Sequence, residues 1–247
     1  MNSSLTQPFK VDFMAIGAHA DDVELGCGGT IAKMISEGKI GIIVDLCDAT
    51  MASRGTPEIR RDEAKNAAEI LGGIHRVNLG MADAHLERNW TCLEPLIRVI
   101  REYQPEFLFT HSEDETHPDH MICAQLVKDA WYKCGLKKLL PEVPSWRPVR
   151  IYHYMGAVNF DPTFCVDITQ YWEVKKMALG AYWTQFDNPE AHTVEGKSQV
   201  SSPEFMESLR VRNEFYGRRI RRTYAEAFWC REIAEVINPL ELGTNPY

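Results

Sequence analysis

The chain has 247 residues, 45% of them hydrophobic and 25% charged, the composition of a soluble globular protein and not of a disordered or fibrous one. Lys and Arg total 27 against 35 Asp and Glu, a formal net charge of -8. No global positive field exists to hold nucleic acid or an anionic membrane, and a small molecule is the expected partner. Seven cysteines, at 27, 47, 92, 123, 134, 165 and 230, never form C-x-x-C. Reduced, mostly buried thiols in a cytoplasmic protein fit better than a disulfide framework or an all-cysteine zinc cluster. The start MNSSLTQPFKVDF has no charged segment leading into an apolar run, and no stretch approaches the roughly 20 apolar residues of a membrane span, so neither secretion nor insertion is signalled.

Apolar runs alternate with segments of helical period, the pattern of βα units around a mostly parallel sheet. Phe13 to Ala18 reads as a first buried strand, followed by a Gly-rich turn and a helix through Ile31, Met34 and Ile35 that stops at Gly38. Ile40 to Leu46 reads as strand two. Pro57 opens a helix whose Ala64, Ala67, Ala68 and Leu71 share a face, and Gly72 and Gly73 end it. A short third strand spans His75 to Leu79. Leu93, Leu96, Ile97 and Ile100 mark the next helix, Phe107 to Thr110 the fourth strand, and about Asp119 to Cys134 another helix. Beyond a Pro-rich connection near 141 to 148, strands are expected at Ile151 to Met155 and Phe164 to Ile168, with helices at Tyr171 to Tyr182 and Glu204 to Ile220.

In open α/β sheets a ligand binds outside the carboxyl ends of the strands where strand order reverses, commonly between the first and fourth strands. Both loops at that place are unusual. The first strand runs into Gly17-Ala18-His19-Ala20-Asp21-Asp22, and the fourth leads to His111 and His117-Pro118-Asp119-His120. Imidazole nitrogens with carboxylate oxygens suit one divalent cation, either Zn2+ with three protein ligands and an open position for water or Fe2+ in a facial triad. Spacing does not choose the metal. Nor does it choose between His117 and His120, since either reaches a cation from a helix start.

GAHADDVELGCGGT resembles the signature loop of the LmbE/PIG-L family of zinc-dependent N-deacetylases, and THPDH resembles that family's second metal-binding motif. SRGTPEIRRDEA, FCVDIT, AYWTQF and YAEAF follow in the expected order, so the resemblance covers nearly the whole chain. Within the family the chain looks most like bacterial deacetylases acting on N-acetylglucosaminyl-malate in bacillithiol biosynthesis. The resemblance implies one deacetylase domain over 1–247, a Rossmann-like three-layer fold with helices on both faces of the sheet, and a homo-oligomer. It implies His19, Asp22 and His120 as zinc ligands and Asp21 as the general base for water. It also implies His117 as the protonated partner that stabilises the oxyanion or protonates the leaving amine, Asp119 as the group holding the His117 ring, and Arg54 as a residue reaching into the same crevice. Two positions depart from the pattern. Ala20 stands where the family commonly has proline, and Thr116 stands where the malate-directed group often has arginine; N-acetylglucosaminyl-malate stays the leading expected substrate, with another N-acetyl sugar or a thiol conjugate as the alternative.

Other features read more simply. Gly26, Cys27, Gly28 and Gly29 suggest close helix packing and not a dinucleotide fingerprint. Cys27 and Cys47 read as buried inert thiols. His75, His85, His153 and His192 read as structural or surface histidines, with His192 in a polar loop able to cover the site. Arg218, Arg219, Arg221 and Arg222 read as a solvated helix face, and Trp172, Tyr182, Trp183, Phe186, Phe215 and Tyr216 as core or interface. Rival classes are a nucleotide-binding oxidoreductase, in which the histidines are structural, and a metal-storage protein without turnover.

Overall fold

A computed structural model describes residues 9–52, 54–186, 199–233 and 235. In chain order the elements are β1 (Phe13–Gly17), α1 (Asp22–Ser36), β2 (Gly41–Cys47), α2 (Pro57–Ile70), β3 (His75–Met81), α3 (Trp90–Tyr103), β4 (Phe107–His111), α4 (Pro118–Lys133), β5 (Arg150–Tyr154), β6 (Phe164–Asp167), α5 (Trp172–Gly180), α6 (Pro203–Arg219) and β7 (Ala225–Trp229). They build one seven-stranded sheet in the order β3-β2-β1-β4-β5-β7-β6. The first five strands run parallel, and β7 lies antiparallel between β5 and β6. This is the α/β arrangement expected from the alternation of apolar runs.

The period of two in β1 divides the core. Phe13 and Ala15 face a layer built with α1, α2 and α5, whereas Met14 and Ile16 face one built with α3 and α4. Both faces of the central strands are covered, which is why β1 and β2 are continuous apolar runs and not alternating ones. No helix among the described residues is long and apolar enough to cross a membrane.

Two elements differ from expectation. The helix after β1 begins at Asp22, ahead of the glycines, and breaks its regular path at Cys27 (φ -145, ψ 20). Tertiary packing overrides the weak helix propensity of Gly26, Gly28 and Gly29. A Cβ at Gly26 would collide with the Tyr154 ring, and one at Gly29 would come within 2.8 Å of Ile168. The break at Cys27 leaves amides past it needing acceptors. Glu226 on β7 supplies them, taking Gly29 N at 3.0 Å and Thr30 N at 2.7 Å. The fully buried Lys175 of α5 pairs with Glu226 at 2.5 Å and donates to Leu25 O at 2.9 Å. β7 itself is the second difference, because the acidic Glu226 within this short strand hides the strand pattern.

Removing one partner of a buried ion pair leaves the other charged and unpaired, a loss of about 3–5 kcal/mol. Glu226→Ala should therefore lower the urea unfolding free energy by about that amount. A loss below about 1 kcal/mol would show that the carboxylate does not hold the broken helix.

Candidate metal centre

β1 is flanked by β2 and β4, so strand order reverses at the β1/β4 boundary and the two polar loops meet there. On the first loop the His19 amide donates to Asp22 Oδ2 at 2.7 Å, which folds the turn tightly onto the start of α1. Asp21 caps α1 with φ 115 and ψ -24, a backbone conformation that favours glycine. On the second loop His117 caps α4, its Nδ1 accepting the Asp119 amide at 3.2 Å, while Pro118 sets the first helical φ.

Asp22 is the hub. Its Oδ2 lies 3.0 Å from His111 Nε2 and 3.5 Å from His19 Nδ1, and its Oδ1 lies 3.2 Å from His120 Nε2. The rings of His19, His117 and His120 stand 4.7, 4.9 and 5.5 Å apart. Ligand atoms of His19, His117 and His120 lie within 4.8 Å of one another, as do those of Asp22, His111 and His120. His111 Nδ1 and His120 Nδ1 are buried without a hydrogen-bond partner. Converging imidazole nitrogens, some unpartnered, around one carboxylate form a donor set that fits a borderline divalent cation.

The charges of the cluster follow from these contacts. Burial disfavours the Asp22 anion, yet His120 and His111 hold its carboxyl well below the usual carboxylate range. Burial likewise opposes charge on His19, but Asp119, Asp22 and Asp83 raise its pKa well above the ordinary value. His120 is raised against burial by Asp22. His111, fully enclosed, is pulled down to about 4 by burial and stays neutral. Burial pushes the Asp21 carboxyl up to about 6 against the pull of Arg60.

Among the expected site residues, the fold gathers His19, Asp22, His117 and His120 in one cluster, with Asp21 beside it. The Asp21 carboxylate turns from the histidines to Arg60, 3.2 Å away. Arg60 is braced by Glu63 at 3.3 Å, and Glu63 in turn accepts from Thr184 N at 2.7 Å and Thr184 Oγ1 at 3.1 Å. Two expectations are corrected. The Asp119 carboxylate does not hold the His117 ring; it reaches His19 Nε2 at 3.3 Å and accepts the Ala84 amide at 2.9 Å. With Nδ1 engaged as an acceptor, and with burial, His120 and His19 lowering its pKa, the expected imidazolium at His117 is disfavoured and Nε2 is the nitrogen left to carry a proton. Arg54 is buried, but its guanidinium has no hydrogen-bond or ion-pair partner among the described residues, so no contact joins it to the cluster. His192 lies outside the described residues.

Three participants escaped the sequence reading of roles. His111 is visible there as the last residue of β4. Asp83, on the loop after β3, approaches His19 Nε2 at 3.2 Å and had no motif to mark it. Arg60 sits in a helix rich in charges. Cys47 is buried as expected, although its sulfur belongs to a group with His19, Asp83 and Asp119 whose ligand atoms lie within 4.8 Å of one another. His153 is structural, its Nδ1 donating to His111 O at 2.6 Å.

The family model for GlcNAc-PI de-N-acetylase (PIG-L) matches residues 14–131. An uncharacterised deacetylase of Escherichia coli, YaiS, is 34% identical over 120 residues, 45% of this chain and 63% of that relative, so the match spans less than two thirds of its length. The diacetylchitobiose deacetylase of Thermococcus kodakarensis is 29% identical over 209 residues, 75% of each chain. The solved structure of the conserved protein TT1542 from Thermus thermophilus superimposes with a TM-score of 0.83 at 31% identity, covering 92% of this chain and 97% of that one. The chain belongs to the LmbE/PIG-L family of deacetylases.

The ligand set is checked by metal content after exhaustive dialysis of zinc-loaded protein. Asp22→Ala and His120→Ala should fall from about one ion per chain to near none, while His117→Ala keeps its metal. Metal lost from His117→Ala but retained by His120→Ala would exchange the two assignments.

Proposed function

We propose that this chain hydrolyses the acetamide of an N-acetylglucosamine-type substrate, holding Zn2+ with His19, Asp22 and His120. The observation that carries the reading is the pairing of two adjacent carboxylates with different duties. Asp22 is surrounded by His19, His111 and His120, whereas Asp21 touches none of them and is left to Arg60. One carboxylate is bound up in the donor set; the other is free for proton transfer.

An acetamide is a poor electrophile and an amine a poor leaving group. When bound, the cation supplies Lewis-acid polarisation of the carbonyl and acidifies water. Asp21 takes the proton as water adds to the carbonyl carbon, and Arg60 keeps that carboxylate aimed. His117 Nε2–H donates a hydrogen bond to the oxygen that becomes negative. The proton on Asp21 returns to the departing nitrogen as the C–N bond breaks, giving acetate and a free amine. His19 is steadied by Asp83 and Asp119 at its Nε2 edge, the carboxylate support that metal-binding histidines commonly have.

The family model names a GlcNAc-PI de-N-acetylase and one relative a diacetylchitobiose deacetylase, both acting on acetylated glucosamine units. N-acetylglucosaminyl-malate stays the first conjugate to try, and other N-acetyl sugars follow. The glycines of α1 pack against Tyr154 and Ile168 and form no open phosphate loop after β1, which disfavours the oxidoreductase reading.

Asp21→Asn should keep the metal content of the parent and lose about 10²- to 10⁴-fold in kcat for amine release. Parent-level turnover in Asp21→Asn would remove Asp21 as the base. Amine release that persists in a strong chelator would remove the cation from the reaction.

A further inference from the structure

Deepening the deacetylase reading and resting on it, we infer that Arg212 selects substrates carrying an anionic group, carboxylate or phosphate, beside the acetylated amino sugar. A cavity of about 490 Å³ is lined both by Asp22, His111, His117 and His120 of the metal centre and by Arg212 of α6. Of the described residues lining it, Arg212 alone bears a permanent positive charge. Asp22 is the one carboxylate there, and the histidines already engage it.

Arg60, Arg76 and Arg101, also enclosed, have most of their nitrogens engaged, and Arg54, which like Arg212 has no ion pair among the described residues, does not line this cavity. Arg60 serves Asp21, Glu63 and Ala20 O. Arg76 serves Asp45, Glu24 and Ala64 O. Arg101, which also lacks an ion pair, donates to the carbonyls of Cys134, Leu136, Leu139, Leu140 and Val143. Arg212 makes one hydrogen bond, to Gly156 O, and has no ion pair among the described residues. Burial pulls its pKa below the usual value, and Glu226 and Glu115 oppose this without touching it. A guanidinium has five donors in a planar fork matched to carboxylate and phosphate. Here most of that fork is unspent in the wall of the reaction cavity.

The adjoining cavity along α6, about 820 Å³, shares Asn159, Ser208 and Arg212 with the first but also carries Glu204 and Glu207. The anion therefore belongs on the metal side of Arg212. There Thr116, Asn159 and Ser208 add neutral hydrogen-bonding groups. Thr116 leaves its own position without a cation, and α6 supplies one from a distant part of the chain.

The test measures kcat/KM for amine release by zinc-loaded protein on N-acetylglucosaminyl-malate, N-acetylglucosamine 1-phosphate and neutral N,N'-diacetylchitobiose, in wild type, Arg212→Gln and Arg212→Lys. Wild type should prefer an anionic substrate, and which one identifies the anion. Arg212→Gln should cut the anionic-to-neutral ratio roughly 30- to 100-fold, mainly through KM, with partial recovery in Arg212→Lys. Calorimetric titration with inorganic phosphate and with L-malate should show weakened binding of the preferred anion in Arg212→Gln, and thermal melts verify that both variants are folded. A neutral preference in wild type, or an equal loss on all three substrates, would overturn the role of Arg212. If no substrate releases amine, the deacetylase reading falls. The titrations then decide alone: weaker anion binding in Arg212→Gln supports the site, and unchanged binding ends it.

Discussion

The interaction on which the site depends is the contact of one buried carboxylate with three imidazoles. Asp22 stands in the first turn of α1, and the rings that approach it come from the loop after β1, the end of β4 and the first turn of α4. A carboxylate so enclosed costs free energy unless compensating charge or hydrogen bonds surround it, and the histidines supply these. The same contact sets the chemistry. It gathers nitrogen and oxygen donors at the point where parallel strands diverge, with a cavity opening from that point.

Residues far from the cluster keep it in place. The broken path of α1 at Cys27 brings the glycine face against Tyr154, whose hydroxyl donates to Ile16 O at 3.0 Å and whose ring meets His111 at 4.9 Å. Glu226 and Lys175 satisfy the amides and the carbonyl near that break, so β7 and α5 hold the broken path of the helix that bears Asp22. A second line of support runs from Thr184 through Glu63 and Arg60 to Asp21. The segments SRGTPEIRRDEA, AYWTQF and YAEAF, individually weak as motifs, each carry one of these supports.

Much of this was legible in the chain. Buried parallel strands are continuous apolar runs between turn residues, which is why β1 to β4 lie within a residue or two of their expected places. The chemical loops were legible for a related reason: polar clusters after two such strands converge by topology. What was hidden depends on partners distant in sequence. Asp119 sits two residues from His117 and reads as its partner, yet its carboxylate serves His19, 100 positions away. Asp83, Arg60 and Arg212 carry no local pattern at all. The early start of α1 was masked because three glycines in four residues look like a turn until Tyr154 and Ile168 are packed against them.

Asp21, the proposed base, sits where the fold is held at a cost. Its φ of 115 is one that only glycine enters without strain, and such conformations cost of order 1–3 kcal/mol in other residues. Its carboxylate is also buried, with its pKa pushed up to about 6, so the charged form is held at a further cost. A glycine here would relieve both. The strain persists because the surroundings over-determine the backbone: the His19 amide is tied to Asp22, Leu25 N donates to Asp21 O at 2.9 Å, and Arg60 grips the Asp21 side chain. A carboxylate kept in an unfavourable backbone, next to a second carboxylate that occupies the histidines, supports the proton-accepting role proposed for Asp21.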